Sequence, residues 1–202
     1  QTHWPSMPPD ATPIADTMAT LLGFKDQGKI RALGVCNVSV AELGENIRCG
    51  HVVSDQFRYS MLNRDAEKDI LPFCAQNNLA TLTYMSLEQG LLTGKIGMDR
   101  VFQPGEFRAN EAWNAWLMPV NRRRVLDLLA RWKELTDKYQ CTLAQLVIAW
   151  TAAQAGVTHV LAGGRNIEQV TENARAGDLN LAPEDIKRIR DDVTALGQPA
   201  KD

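Results

Sequence analysis

The stretch VTHVLAGGRNIEQVTENARA, residues 157–176, is where the reading of this chain begins. Val157, Thr158, Val160 and Leu161 make a short β-branched run that predicts a strand, and Ala162-Gly163-Gly164 ends it. A helix then opens, with Asn166 as N-cap and Gln169 three residues on in a capping-box arrangement. Paired glycines between strand and helix let the backbone approach a ligand closely, and a helix N-terminus presents unpaired N–H groups to an anion. Arg165 adds a charge suited to a phosphate. Alone, the same residues describe an ordinary strand-to-helix turn with a surface arginine, so the rest of the chain decides.

Working back from that stretch, apolar runs and amphipathic segments alternate. Residues 1–4 read as the tail of a strand. A helix starts at Thr12-Pro13 and ends at Gly28, with Ile14, Met18, Leu21 and Leu22 on one face. Residues 30–35 form the next strand, with Cys36-Asn37 at its end. Ser39 and Glu42 then cap a helix that stops near Gly50. Residues 52–56 are a strand, 65–77 a helix turning Ile70, Leu71 and Cys74 inward, and 80–84 a strand leading into a turn over 85–95. Residues 96–121 are irregular and carry Trp113 and Trp116, which predicts a lid over a site or a structural flap. Two amphipathic helices follow, one marked by Val125, Leu128, Leu129, Trp132 and Leu135, the other capped by Thr142. Beyond the opening stretch, Pro183 starts a terminal helix.

The 202 residues are 45% hydrophobic and 23% charged, which suffices for a sizeable core. A formal net charge of -2 gives no electrostatic reason to expect nucleic acid or an anionic membrane as partner. No apolar run is long enough for a membrane span, and the first residues do not read as a signal peptide. Cys36, Cys49, Cys74 and Cys141 are scattered, as are the three histidines. Reduced thiols, a cytoplasmic location and no metal are expected.

Strand and helix alternate at α/β spacing with no linker, so a single domain over 1–202 is expected, with parallel strands and right-handed crossovers. The polar groups His3, Asn37, Gln56, Tyr84 and Gly163-Gly164 fall at strand ends, which parallel strands bring to one face. The early glycine fingerprint of a dinucleotide-binding open sheet is missing. The expected fold is therefore α/β, a (β/α)8 TIM barrel, of which about the last five βα units and a C-terminal helix are present. An N-terminal half located elsewhere, or a second copy, would be needed to close it.

The segments QTHWP, TPIADTMATL, GKIRALGVCN, QFRYSML, LTYMSLEQGLLTGK, TLAQLVIAW and VLAGGRNIEQVTEN, in this order, resemble the aldo-keto reductases over nearly the whole chain. The resemblance implies an eight-stranded barrel that binds NADP(H) and transfers hydride between nicotinamide and a carbonyl or alcohol. It makes His3 the catalytic histidine, hydrogen-bonding the substrate oxygen as charge develops there, and Trp4 a wall of the substrate pocket. Asn37 and Gln56 would hold the nicotinamide carboxamide, whose two ends require a donor and an acceptor. Tyr84 would stack on the nicotinamide ring. Leu87, Gln89 and Leu92 would lend backbone N–H groups to the pyrophosphate, with Lys95 either solvated or reaching a phosphate. Gly163, Gly164 and Arg165 would meet the adenosine 2′-phosphate, and Gln169 and Asn173 the adenine, with Glu172 near it.

Two replacements depart from the family. Met85-Ser86 stands where Ser-Pro is usual, and Cys36 where a serine is common, which weakens one carboxamide contact because a thiol is a poorer donor. The family's general-acid tyrosine, with its lysine and aspartate, belongs to the first half of the barrel. None of Tyr59, Tyr84 and Tyr139 stands in that motif. The resemblance thus implies an oxidoreductase acting on an aldehyde, sugar or small ketone, incomplete for catalysis by itself. Two further readings stand beside it: a cofactor-binding regulatory subunit, like the reductase-like β subunits of potassium channels, and a truncated barrel that dimerises and has lost its activity.

Overall fold

A computed structural model describes residues 1–9 and 11–200. Four parallel strands form one sheet in chain order: β1 (Leu33–Cys36), β2 (Val52–Arg58), β3 (Ala80–Tyr84) and β4 (His159–Val160). Consecutive strands lie side by side with no reversal of order, the arrangement of a β/α barrel and not of a doubly wound sheet. One expected strand is absent. Residues 1–4 are not a strand, because only Thr2 pairs its backbone there, donating to the Gly34 carbonyl at 3.1 Å. The Gln1 side-chain amide adds a bond to the Val35 carbonyl at 3.3 Å.

The strand limits have local causes. Pairing of β1 with β2 slips between Leu33 and Gly34, where a Cβ at Gly34 would stand 2.5 Å from Ser54 Oγ and would have to displace that hydroxyl. β4 is shorter than the residues 157–161 expected because side chains replace part of its ladder. The Thr81 N–H donates to Thr158 Oγ1 at 2.7 Å, and the Thr158 N–H to Thr81 Oγ1 at 2.9 Å.

By contact the chain divides into two compact units. The first comprises Gln1–Tyr59, Asn63–Tyr84 and Gln154–Leu161, and holds the whole sheet. Its helices are α1 (Ile14–Asp26), α2 (Val40–Cys49) and α3 (Ile70–Gln76). Ser39 and Glu42 form the expected capping box on α2. Helix α3 starts later than the expected residue 65. Asp65–Glu67 is a separate 3₁₀ turn, and the Asp69 carboxylate caps the helix by accepting the Ile70 N–H at 2.6 Å. That start places Pro72 in the first turn, where no N–H is needed. Met18, Leu33, Val35, Leu43, Leu71 and Cys74 lead a buried apolar core. Within this unit Asp55 is also fully buried, and neither carboxylate oxygen has a hydrogen-bond partner.

The second unit comprises Ser60–Leu62, Met85–Ala153 and Ala162–Asp202. Its helices are α4 (Glu111–Asn114), α5 (Pro119–Ala130), α6 (Lys133–Tyr139), α7 (Leu143–Ala152), α8 (Ile167–Ala174) and α9 (Pro183–Leu196). The single helix expected to run from Val125 to Leu135 is broken into α5 and α6. At the break Trp132 is fully buried and donates its indole N–H to Asp192 at 2.8 Å. Helix α7 is buried on nearly every side and is capped by Thr142 as expected, with Gln145 completing a capping box. Its Trp150 indole donates to the Ile186 carbonyl at 3.1 Å, tying α7 to α9.

The irregular stretch after residue 95 resolves into short turns, Phe107–Ala109, α4 and Ala115–Leu117. It is anchored from within its own unit. The buried Arg122 guanidinium donates to the carbonyls of Leu117 at 3.0 Å, Gly97 at 3.0 Å and Arg100 at 2.7 Å. Trp116 is buried and Trp113 exposed, so of the two tryptophans only Trp113 offers its ring to solvent. Among the described residues, no helix is long and apolar enough to cross a membrane.

Candidate functional site

In the first unit, the ends of β1 and β3 and the segment before β1 bring four of the proposed residues together. Asn37, just past β1, adopts a left-handed backbone with φ 58°, a conformation asparagine tolerates better than most residues. Its backbone N–H donates to the Gln56 carbonyl at 2.9 Å, which ties the β1 end to β2. Its side-chain Nδ2 donates to the His3 carbonyl at 3.0 Å and to Cys36 Sγ at 3.1 Å, while Oδ1 accepts the Tyr84 hydroxyl at 2.6 Å. Gln56 lies inside β2, two residues short of its end, and its Oε1 accepts from the Gln1 amide at 2.8 Å.

His3 and Trp4 are both exposed, with their rings edge-to-face at 5.8 Å between centroids. Asn37 therefore holds the His3 backbone and leaves its imidazole open. Burial pushes the Tyr84 phenol up, with Cys36 adding to the shift and Arg58 opposing it. Burial also raises the Cys36 thiol, assisted by Asp55 and opposed by Gln1.

In the second unit, the turn after β3 carries a run of strained backbone. Met85, Glu88 and Gln89 have φ of 60°, 43° and 55°, values uncommon for residues other than glycine. Leu87 is near-helical at φ −95°, ψ 9°, and such a change of hand across neighbouring residues makes an anion-binding nest of N–H groups. Of the N–H groups expected to face a pyrophosphate, that of Leu92 is engaged by the Leu87 carbonyl at 3.2 Å. The Gln89 side chain bonds to Asn114. Lys95 lies on the surface, paired with Glu172 at 3.2 Å. The Thr142 hydroxyl and the Lys95 ammonium hold the Glu172 carboxyl below its usual range.

The Gly163–Arg165 loop and the start of α8 differ in one bond from the expected box. Asn166 Oδ1 accepts the Gln169 N–H at 2.9 Å, but Gln169 Oε1 takes the N–H of Arg165, also at 2.9 Å. Asn173 Nδ2 donates to the Gly163 carbonyl at 3.1 Å. Gln169 and Asn173 thus brace the loop. A Cβ at Gly164 would lie 2.6 Å from Val170 Cγ2, so packing requires that glycine, whereas nothing lies within 4 Å of one at Gly163. Arg165 is exposed and makes no ion pair among the described residues.

Each tyrosine is committed. Tyr59 donates to Glu67 at 2.6 Å and Tyr84 to Asn37. Tyr139 donates to Asp185 at 2.5 Å, accepts the Ala182 N–H at 2.9 Å, and shares Asp185 with Lys138, whose Nζ stands 2.6 Å away. This tyrosine–lysine–aspartate cluster bolts α6 to α9. Sequence reasoning passed over Arg122, Asp55 and Gln1. Arg122 looked like one of three consecutive surface arginines, Asp55 broke an apolar strand without a motif, and Gln1 gave no signal.

Sequential parallel strands with amide and phenol groups at their ends are the arrangement of a β/α-barrel protein. The chain belongs to the aldo/keto reductase family, whose model matches residues 1–192. It is 41% identical over 195 residues to an NADH-specific methylglyoxal reductase of Escherichia coli, covering 96% of this chain and 58% of that protein. It is 30% identical over 195 residues to the aldo-keto reductase YhdN of Bacillus subtilis, covering 94% and 56%. Among solved structures, a glycerol dehydrogenase of Gluconobacter oxydans superposes with a TM-score of 0.85 at 29% identity, covering 96% of this chain and 58% of that one. The chain thus spans less than two thirds of the length of these relatives, and the fold is a partial aldo/keto reductase barrel.

Proposed function

We propose that the chain takes part in hydride transfer between a nicotinamide dinucleotide, NADP(H), and a small carbonyl compound or its alcohol, in a cytoplasmic setting. The observation that carries this reading is the β1 end, where Asn37, in left-handed backbone, is bonded to Tyr84 and to the loop bearing His3. Asn37 and Gln56 would hold the nicotinamide carboxamide, Tyr84 would present its ring to the nicotinamide, and the exposed His3 imidazole would donate to the substrate oxygen. The bound cofactor supplies the hydride. Trp4, 42% exposed, is free to flank a substrate. Methylglyoxal and glycerol, named for two of the relatives, set the expected scale of that substrate.

In the other unit, the Leu87 and Gln89 N–H groups suit a pyrophosphate, and the Gly163–Arg165 loop suits an adenosine phosphate. The open space beside Gly163 supports close approach by a ligand. With Lys95 paired to Glu172, and Gln169 and Asn173 bracing the loop, preference for the 2′-phosphate turns on Arg165. The NADH-specific relative favours a second reading, NAD(H), in which Arg165 does no phosphate work.

Arg165→Ala decides between them. If Arg165 holds the 2′-phosphate, the variant weakens NADPH binding roughly tenfold or more and leaves NADH binding within about twofold. If the wild-type chain prefers NADH and Arg165→Ala changes neither affinity, the NAD(H) reading stands. The tyrosines offer no free acid, Tyr139 being bonded on both sides, so the regulatory reading remains a rival. Steady carbonyl-dependent oxidation of the nucleotide by the 202-residue chain would overturn that rival.

A further inference from the structure

Three arginines of the segment after residue 95 gather on one aromatic ring. The guanidinium carbons of Arg100, Arg108 and Arg122 lie 5.5, 5.3 and 5.2 Å from the centroid of Phe102. Cations held so near a common point repel one another unless anions lie among them. We propose that this cluster is a binding site for a phosphoryl dianion, such as that of a phosphate monoester, and that Glu106 fills it when no ligand is bound. All five residues belong to the second unit, and none is assigned to the nucleotide in the reading above.

The contacts of Glu106 outline the site. Its Oε1 and Oε2 accept from Arg100 Nη2 at 3.2 and 3.1 Å, and Oε2 accepts from Arg108 Nη2 at 3.5 Å. The Gln103 backbone N–H donates to Oε1 at 3.1 Å. That N–H, with Arg100 and Arg108, holds the Glu106 carboxyl below its usual range. The buried Arg122 has no such carboxylate against it. Its Nε and Nη1 are spent on backbone carbonyls, and its Nη2 bonds to nothing among the described residues. Burial lowers its pKa, against the pull of Asp99.

Charge selects the ligand. Three guanidiniums meet two carboxylates, Glu106 on the Arg100–Arg108 pair and Asp99 acting on Arg122, which leaves a surplus of one positive charge. When Glu106 swings out the surplus becomes two, which matches a phosphate monoester near neutral pH. A phosphoryl group also brings three terminal oxygens where a carboxylate brings two, and guanidinium forks suit it. Arg108 Nε and Nη1 and Arg122 Nη2, unpartnered among the described residues, supply the added donors. The Glu106 side chain is 27% exposed, so it can leave for solvent without opening a core.

Methyl phosphate and methyl sulfate share a shape and differ by one charge, so the pair tests the site. Each is titrated into the 202-residue chain carrying ¹⁵N-arginine. The Nε–H resonances of Arg100 and Arg108, identified by their loss in Arg100→Ala and Arg108→Ala, report binding locally. Glu106→Gln should bind methyl phosphate roughly tenfold more tightly than wild type. The gain for methyl sulfate should be smaller, because it carries half the charge. Adding Arg108→Ala to Glu106→Gln should abolish the gain. Circular dichroism checks folding, and Glu106→Ala carries the same expectation should the glutamine variant misfold. Arg100 and Arg108 resonances that stay in place in Glu106→Gln, or equal affinity in wild type and Glu106→Gln, would overturn the proposal. A gain that survives Arg108→Ala would also overturn it, marking an adventitious ion held elsewhere.

Discussion

Asp55→Asn is expected to abolish a loss of about 4 kcal/mol in folding stability that the wild-type chain suffers between roughly pH 4 and pH 7. Asp55 sits in the middle of β2, opposite Val35 and Thr81, with no exposed surface and no hydrogen-bond partner for either oxygen. Burial is the dominant cause and pushes its carboxyl up from 3.8 to about 7. Between those values the folded chain holds a proton that the unfolded chain has released. Stability is therefore full below pH 4, falls by about 1.4 kcal/mol per pH unit, and stops falling once both states are ionised above about pH 7.

The titratable neighbours do not confuse the window. Burial, with Asp55 next, pushes the Cys74 thiol up to about 12, and Cys36 is raised as well, so both stay protonated throughout. Urea denaturation of wild type and Asp55→Asn at pH 5 and pH 8 measures the effect. The wild-type chain should lose about 2.5 kcal/mol more than the variant between the two conditions. Equal pH dependence would show that Asp55 is solvated or paired in solution.

Arg122→Ala should cost about 3 kcal/mol and loosen the segment over residues 97–117. Arg122 is 4% exposed, and its guanidinium donates to three carbonyls of that segment and lies 5.2 Å from the Phe102 ring centroid. Truncation leaves three carbonyls without their donor and opens a void against Phe102. Lysine should rescue little, since one ammonium cannot reproduce a planar fork. Limited proteolysis provides the readout, with early cuts expected in 97–117 for both variants and none in wild type. A variant as resistant as wild type would mean that the segment is held by other contacts.

The elements that sequence patterning found are those governed by local chemistry. Ser39–Glu42, Thr142 and Pro183 fixed three helix starts as expected. The limits of β3 followed from its apolar run, and the strand-end positions of Asn37 and Tyr84 followed from strand length. The errors arose where distant groups compete with local preference. Residues 1–4 look like a strand, yet a single backbone bond does not make a ladder. Thr81 and Thr158 shorten β4 with side-chain bonds that no periodicity announces. Gln169 completes its cap on Arg165 and not on Asn166, a choice set by the glycine loop. The division into two compact units was illegible because their segments interleave along the chain, leaving no linker to mark them.

If the strand-end amides recognise a nicotinamide carboxamide, reduced nicotinamide mononucleotide is the most direct probe because it carries no adenosine. Added to chain with ¹⁵N-labelled side-chain amides, it should shift the Asn37 and Gln56 resonances together and saturably, with the Asn37 response lost in Asn37→Ala. Resonances that stay in place up to roughly 10 mM nucleotide, a range reaching past millimolar affinity, would contradict the assignment of these residues to a nicotinamide cofactor.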